Sequence, residues 1–297
     1  MHPKLVEITQ QRKVLMDGPT ALVIAAMVVG FPLIGWAQVA GHLPWWATLI
    51  IGTALMNLSF TAWHESSHGS FSKIGWINTA AGIVASAASV YPGYFARRRE
   101  HLIHHKWEGQ DGKDPVYPRI QTSFLGFAFR LARLTVQGVR MDIPESFQPM
   151  TPTRIWADRA SNFFALAIVL AGALAGWDVL WAVLCAWIIP RAIVLFLHAY
   201  YICFLPHNVP EGGYTVLRVR DAGWVGRLVT IDQSMHGIHH LWPFIPWHRY
   251  RAVLKDPDLL AELKAARVEF QTGMSTATPI AAPSAAAAAS APHQTAQ

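Results

Sequence analysis

The stretch WWATLIIGTALMNLSFTAWHESSH, from Trp45 to His68, decides the fold, because an apolar run ends there in a pair of histidines. A helix that spans the hydrocarbon core needs about 20 mainly apolar residues, and residues 45–63 nearly reach that length. The two histidines that follow, His64 and His68, lie four residues apart and therefore on one face of a helix. The stretch predicts a spanning helix followed directly by a metal-binding pair.

Three further apolar runs, residues 21–39, 162–176 and 179–205, are long enough or nearly so to cross a membrane. Short connections at 41–44 and 176–178 join the four runs in pairs, which predicts two helical hairpins. Of the 297 residues, 53% are hydrophobic and only 14% are charged, and the mean hydropathy is +0.26. Soluble domains carry about 25% charged residues, so this composition argues against an ordinary soluble domain.

The basic residues indicate the orientation of the chain. Both short connections lack Lys and Arg, whereas the segments before, between and after the hairpins contain them. The positive-inside rule then places both termini and the middle segment in the cytoplasm. The formal net charge of +6 is explained by these flanking residues, and we expect no nucleic-acid binding. Two weaker apolar stretches, 74–94 and 124–139, are interpreted as a re-entrant or interfacial helix and a membrane-surface helix.

Three histidine clusters carry the candidate chemistry. Their patterns are HxxxH, HxxHH and HxxHH, and they comprise His64 and His68, then His101, His104 and His105, then His236, His239 and His240. Helical spacing directs the imidazoles of each cluster one way, and neutral imidazole suits iron, copper and zinc. One such cluster can be structural, but three near span ends are hard to explain as packing. Eight imidazoles are too many for one metal and suit two irons, whereas structural zinc prefers four ligands, often cysteines.

With these clusters and hairpins, the sequence from about residue 21 to residue 250 resembles the membrane fatty acid desaturase and hydroxylase superfamily. The resemblance implies an all-α integral membrane fold, with four transmembrane helices in two hairpins and a cytoplasmic histidine-rich helical cap that holds two irons. It also implies O2-dependent attack on an unactivated C–H bond, and a ninth histidine upstream of the third cluster. His207 is the best match for that histidine, and His198, inside the apolar run, is the rival.

Electron supply and domain limits follow from the same resemblance. The two cysteines, Cys185 and Cys203, cannot hold an iron–sulfur cluster, and no haem or flavin domain is evident. We therefore expect an external electron donor such as ferredoxin or cytochrome b5. The desaturase-like domain is expected at residues 1–271, followed by a disordered tail at 272–297, which is rich in Ala, Ser, Thr and Pro and carries no charge. The expected location is a multi-pass position in a bacterial inner membrane.

The segment after the third cluster suggests the substrate. HHLWPFIPWHRY, from His239 to Tyr250, resembles the corresponding stretch of desaturase-like β-carotene hydroxylases. Acyl-lipid desaturases have a related stretch, so hydroxylation of a carotenoid β-ionone ring is the leading hypothesis and acyl-chain desaturation the second. A ring ketolase remains a further alternative, and a membrane metal transporter the non-enzymatic one. Transporters place their polar ligands near the middle of the spans, which these clusters do not.

Neighbouring charged residues have less specific interpretations. Metal-bound imidazoles usually donate their second N–H to a carboxylate or a carbonyl. The candidate carboxylates are Glu65, Glu100, Asp111, Asp114 and Asp232. For any one of them, an ordinary solvated carboxylate fits the sequence as well. The triplet Arg97-Arg98-Arg99 is either a membrane-flanking basic cluster or a docking surface for an acidic electron donor.

Overall fold

The computed structural model describes residues 3–9, 14–89, 93–117, 123–137, 141–207, 218–221, 223–266 and 268–272. Helices dominate, and one pair of short strands accompanies them. In chain order the elements are α1 (Pro3–Thr9), α2 (Gly18–Val39), α3 (Trp45–His68), α4 (Gly75–Ala88), α5 (Tyr94–Lys106), α6 (Phe124–Gln137), α7 (Pro152–Ala175), α8 (Trp177–Val183), a π-helical turn (Leu184–Ile188), α9 (Ile189–His198), a second π-helical turn (Ala199–Phe204), α10 (Leu205–His207), β1 (Arg218–Asp221), α11 (Gly223–Thr230), α12 (His236–Leu241), a 3-10 turn (Trp247–Arg249), α13 (Tyr250–Lys255), α14 (Pro257–Ala265) and β2 (Glu269–Thr272).

Four helices are long and apolar enough to cross a membrane: α2, α3, α7 and the continuous helical run Trp177–His207. The spans α2 and α3 pack on each other, as do α7 and α8, and α3 also packs on the fourth span. The predicted arrangement of four spans in two hairpins is therefore confirmed. Two of the helices are longer than predicted. The first histidine pair lies inside α3 rather than after it, and α7 begins at Pro152, where the Thr151 hydroxyl accepts the N–H of Arg154.

The fourth span contains two π-helical turns that the sequence reasoning did not anticipate. The first turn, Leu184–Ile188, precedes Pro190, and the second, Ala199–Phe204, precedes Pro206. Proline has no N–H and its ring clashes with the carbonyl four residues earlier. A wider turn before each proline relieves that clash within a continuous helix. The second turn ends at Phe204, three residues before His207, and so affects the direction in which that side chain points.

All three histidine clusters lie at one end of the spans. Helix α2 starts where α3 ends, because the N–H of Asp17 donates to the carbonyl oxygen of Phe71 at 2.7 Å. Helix α5, which carries the second cluster, has Gly93 at its N-cap and no capping side chain of its own. Asp158 of α7 takes that role, since its two carboxylate oxygens accept the N–H groups of Phe95 and Ala96 at 2.9 and 2.8 Å. The third span thus holds the start of the second-cluster helix.

The two weaker apolar stretches form helices α4 and α6, neither of which is among the candidate spans. Their placement at the membrane surface stays a prediction, and residues 90–92 and 138–139 of those stretches lie outside the described residues.

The chain after the spans builds a small core of its own. Strands β1 and β2 pair in parallel, with Val219 opposite Phe270, which the all-α expectation did not include. Beside them, α12, α13 and α14 bury apolar side chains that include Met235, Ile238, Trp242, Ile245, Tyr250, Val253, Leu259 and Leu263. This core supports the helix that carries the third cluster. Of the predicted tail, residues 273–297 lie outside the described residues.

Candidate metal centre

Eight of the predicted histidines form two groups of four. In each group every histidine offers one ring nitrogen, and these four atoms all lie within 4.8 Å of one another. Helices α3, α5 and α12 supply the first group, and α5, α10 and α12 supply the second. The first group is His64, His68, His101 and His239, and the second is His104, His207, His236 and His240. The sequence clusters are thus shared between the groups, because each HxxHH helix sends histidines to both.

In the first group, ring nitrogens face each other across short distances. The Nε2 atoms of His68 and His101 are 2.7 Å apart, and those of His64 and His239 are 3.1 Å apart. The Nδ1 of His64 lies 3.3 Å from a carboxylate oxygen of Glu65, which can only accept a hydrogen bond when ionised. The proton of His64 is therefore on Nδ1, and its Nε2 presents a lone pair to the group. A cation at the centre of the group fits this arrangement.

In the second group, too, Nδ1 atoms donate to carboxylates while Nε2 atoms face the other histidines. His240 donates from Nδ1 to Glu108 at 2.7 Å, and His104 donates from Nδ1 to Asp114 at 3.0 Å. The Nε2 atoms of His236 and His240 are buried and have no hydrogen-bond partner among the described residues. Buried acceptors without a partner are costly and rare. Because the ring nitrogens converge and these two Nε2 atoms lack a hydrogen-bond partner among the described residues, the histidines fit bound metal ions, and two such groups are consistent with a di-iron site.

The remaining histidine of the second cluster, His105, lies between the two groups. Its Nε2 is 2.8 Å from Nε2 of His239 in the first group. Its ring stacks on His240 of the second group, with a distance of 4.2 Å between the ring centroids. His105 can therefore reach either group.

Burial keeps these imidazoles neutral. Removal from water, followed by the nearby histidines, lowers the pKa of five of them well below the usual value near 6.5. Metal ions bind the neutral form of imidazole, so the site is ready for metal at neutral pH. The five are His101, His105, His236, His239 and His240.

The structure distinguishes the two candidates for the ninth histidine. The ring of His207 lies 4.4 Å from that of His236, between centroids, and belongs to the second group. His198 lies deeper in the fourth span and donates from Nε2 to the side-chain oxygen of Asn57 at 2.9 Å. All nine histidines predicted as ligands thus come together, with His207 rather than His198 among them. Their assignment as metal ligands stays a prediction.

The carboxylates divide into those that contact histidines and those that do not. Glu65 and Asp114 do so, and Asp114 also accepts the N–H groups of Gly109 and Val116, so it shapes a turn as well. Of the other candidates, Glu100 pairs with Arg97, Asp232 pairs with Arg251, and Asp111 is exposed.

Sequence reasoning missed Glu108. Partial removal of its carboxyl from water, and then the negative charge of nearby Asp114, raise the pKa of Glu108 to about 7. Its position three residues after His105 was the available signal. Its partner is His240, 132 positions away in the sequence, rather than a histidine of the nearby helix α5.

The arginine triplet has structural partners. Arg98 donates to the carbonyl oxygen of Ser67 at 2.9 Å, and Arg99 donates to that of Phe147 at 3.3 Å. Arg97 pairs with Glu100 at 2.6 Å. These contacts connect the second-cluster helix to the end of α3 and to the loop before α7. They give no support to the docking interpretation.

Aromatic rings cover the side of the site that faces the spans. Phe60 stacks on His64 with 5.5 Å between ring centroids, and the edge of Trp63 meets His101 at 5.6 Å. Both rings belong to the last turns of α3. The two histidine groups therefore adjoin the apolar interior of the helix bundle.

The segment after the third cluster is largely explained by packing. Trp242, Ile245 and Tyr250 are buried in the C-terminal core, and the Tyr250 hydroxyl lies 3.3 Å from Nδ1 of His239. His248 donates from Nε2 to Asp17 at 2.9 Å, which connects the segment to the start of the first span. Its residues support the third cluster, and this role requires no particular substrate.

The four candidate spans and the two histidine groups are typical of the membrane-embedded, non-haem di-iron class of proteins. The chain belongs to the fatty acid desaturase family, whose profile matches residues 40–271. It is similar to the Delta(12) fatty acid desaturase fat-2 of Caenorhabditis elegans, with 33% identity over 85 residues. That similarity covers 29% of this chain and 21% of the relative. The family implies a lipid substrate and an electron donor.

Proposed function

We propose that the protein is an O2-dependent di-iron oxygenase that hydroxylates the β-ionone ring of a carotenoid. The observation that carries the oxygenase assignment is the convergence of ring nitrogens in two groups of four. In the second group, Nε2 of His236 and Nε2 of His240 are buried without a hydrogen-bond partner among the described residues. Two irons bound there would supply the redox chemistry by which O2 attacks a C–H bond. The proposed ligands are His64, His68, His101, His104, His105, His207, His236, His239 and His240.

The protein's own residues have separable roles in this proposal. Glu65, Asp114 and Glu108 accept Nδ1–H groups and so orient Nε2 of three imidazoles toward the metals. Phe60 and Trp63 exclude water from the side of the site that faces the bundle. A lipophilic substrate would approach from that side, directly from the bilayer. The distribution of Lys and Arg supports a cytoplasmic position for the site.

The ring substrate rests on the resemblance of residues 239–250 to desaturase-like β-carotene hydroxylases. Acyl-chain desaturation is the second candidate, supported by the family match and by the desaturase named as a relative. Both reactions begin at an unactivated C–H bond and need the same ligands. In hydroxylation the carbon gains a hydroxyl group, whereas in desaturation a second hydrogen leaves and a double bond forms.

A product profile tests the proposal. The protein is expressed in bacteria that make β-carotene, together with a ferredoxin and its reductase, and pigments and acyl chains are analysed by mass spectrometry. The expected result is one or two added oxygens on β-carotene, with fragments typical of hydroxyl rather than ketone, and unchanged lipids. The His101→Ala protein should make no product, whereas His198→Ala should retain some. Acyl chains that lose two hydrogens beside unchanged pigment would refute the ring substrate and favour the desaturase.

A further inference from the structure

The turn before the third cluster has an unusual backbone. Ile231 and Asp232 have φ angles of +52° and +59°, although neither is glycine. The left-handed region is unfavourable for L-residues and is a clear outlier for a β-branched residue such as isoleucine. The turn joins the end of α11 at Thr230 to Met235, the N-cap residue of α12. Such a conformation persists only where its surroundings hold it, and it often lies beside a functional site.

Arg251 is the side chain best placed to hold the turn. Its Nε lies 3.2 and 3.3 Å from the two carboxylate oxygens of Asp232, and its Nη2 lies 3.1 Å from one of them. Asp232 is buried, with 8% of its surface exposed. Arg227 approaches the same carboxylate only to 3.8 Å, with a side chain that is 53% exposed. The carbonyl of Asp232 in turn accepts the N–H of Met235 at 3.0 Å, which connects the turn to the start of α12.

Helix α13 thus contacts the third-cluster region at two successive residues. Tyr250 reaches the ring of His239 and Arg251 reaches the turn before His236. We propose that Arg251 is a positioning residue that holds this left-handed turn and thereby aims the histidines of α12 at the metals. The inference rests on the proposed function, because it requires those histidines to bind metal.

The arrangement predicts an uneven effect on the two metal groups. Helix α12 supplies two of the four histidines of the second group, His236 and His240. It supplies only His239 to the first group, and Tyr250 holds that ring separately. Loss of the Arg251 contact should therefore weaken the second group much more than the first.

The experiment is a titration of the metal-free protein in detergent with Co²⁺, whose visible absorption reports ligand geometry. Wild type should bind two ions. Arg251→Gln should bind one ion as wild type does and the other roughly 10- to 100-fold more weakly, the range measured when partners of metal ligands are removed. The matched control is Arg249→Gln, two residues away and exposed, which should behave as wild type. Adding Ile231→Gly to Arg251→Gln should restore part of the lost affinity, since glycine adopts positive φ without steric cost.

Several outcomes would overturn the proposal. A positioning role for Arg251 would be refuted if Arg251→Gln binds Co²⁺ as Arg249→Gln does, if it loses affinity for both ions equally, or if adding Ile231→Gly restores none of the lost affinity. If Arg251→Gln does not fold, Arg251→Lys keeps the charge without the second nitrogen contact. That variant should lower the binding affinity for one Co²⁺ ion selectively. An equal loss of affinity for both ions would again refute the proposal. A wild-type protein that binds no stoichiometric Co²⁺ would instead contradict the proposed function.

Discussion

Replacement of Asp114 by asparagine should lower both the folding stability and the metal affinity of the second histidine group. In the structure, Oδ1 accepts from Nδ1 of His104 at 3.0 Å and from the N–H of Val116 at 2.8 Å, while Oδ2 accepts from the N–H of Gly109 at 2.8 Å. Asparagine can keep the first two contacts, but its NH2 group would then face the Gly109 N–H. One hydrogen bond to a charged acceptor is therefore lost, and the other two become hydrogen bonds to a neutral acceptor. A hydrogen bond to a charged group contributes about 1.5–3 kcal/mol to stability, and a neutral one contributes about 0.5–1.5 kcal/mol.

Together these changes predict a loss of about 4 to 5 kcal/mol in folding stability and a drop of roughly 10- to 100-fold in metal affinity at the second group. Thermal unfolding in detergent measures the first quantity, and Co²⁺ titration measures the second. Asp111→Asn is the matched control, because Asp111 lies three residues earlier in the same loop and is exposed. If Asp114→Asn and Asp111→Asn give the same melting temperature and the same affinities, Asp114 does not orient His104 and the reasoning is refuted.

Three other results are expected. His207→Ala should lower the bound iron below two per chain whereas His198→Ala should keep two, as measured by elemental analysis; equal losses would remove His207 from the ligand set. Asp158→Ala should lower the stability of the metal-free protein by about 3 kcal/mol, since two N–H groups of α5 lose a charged acceptor, whereas exposed Asp178→Ala should not; matching melting curves would contradict this. The metal-free protein should also melt at lower temperature as the pH falls from about 7.5 to about 5.5, because the histidines bind protons in the unfolded chain but stay neutral where they are buried. Each such histidine lowers the folding stability by up to about 1.4 kcal/mol per pH unit. Burial predicts that the neutral form is favoured at five histidines: His101, His105, His236, His239 and His240. An unchanged melting temperature across that pH range would contradict this.

Local pattern was enough to predict the spans and the histidine clusters. Hydrophobic runs of sufficient length and short connections without Lys or Arg determine two hairpins, and helical spacing determines which imidazoles share a face. The start of α7 was missed because its first turns, from Pro152, are polar and carry Arg154 and Arg159. The π-helical turns were missed because the fourth apolar run, which contains Pro190 and is directly followed by Pro206, otherwise resembles plain helix.

The contacts that orient the site could not be predicted, because they join residues far apart in the sequence. Asp158 holds α5 from another helix, Glu108 reaches His240 across 132 positions, and Arg251 reaches back to Asp232. The division of the histidines into two groups has the same origin. Each HxxHH cluster suggested one common direction, whereas tertiary packing distributes its members between the two histidine groups.

The iron content of the purified protein tests the central claim most directly. Protein expressed with ample iron and purified in detergent is analysed for metal and protein in the same sample, beside the His101→Ala and His236→Ala variants. The account predicts about two irons per wild-type chain, with the Mössbauer signature of a coupled pair, and clearly less in each variant. One iron or none in the wild type, or a stoichiometric zinc ion in its place, would contradict a di-iron site built from these histidines.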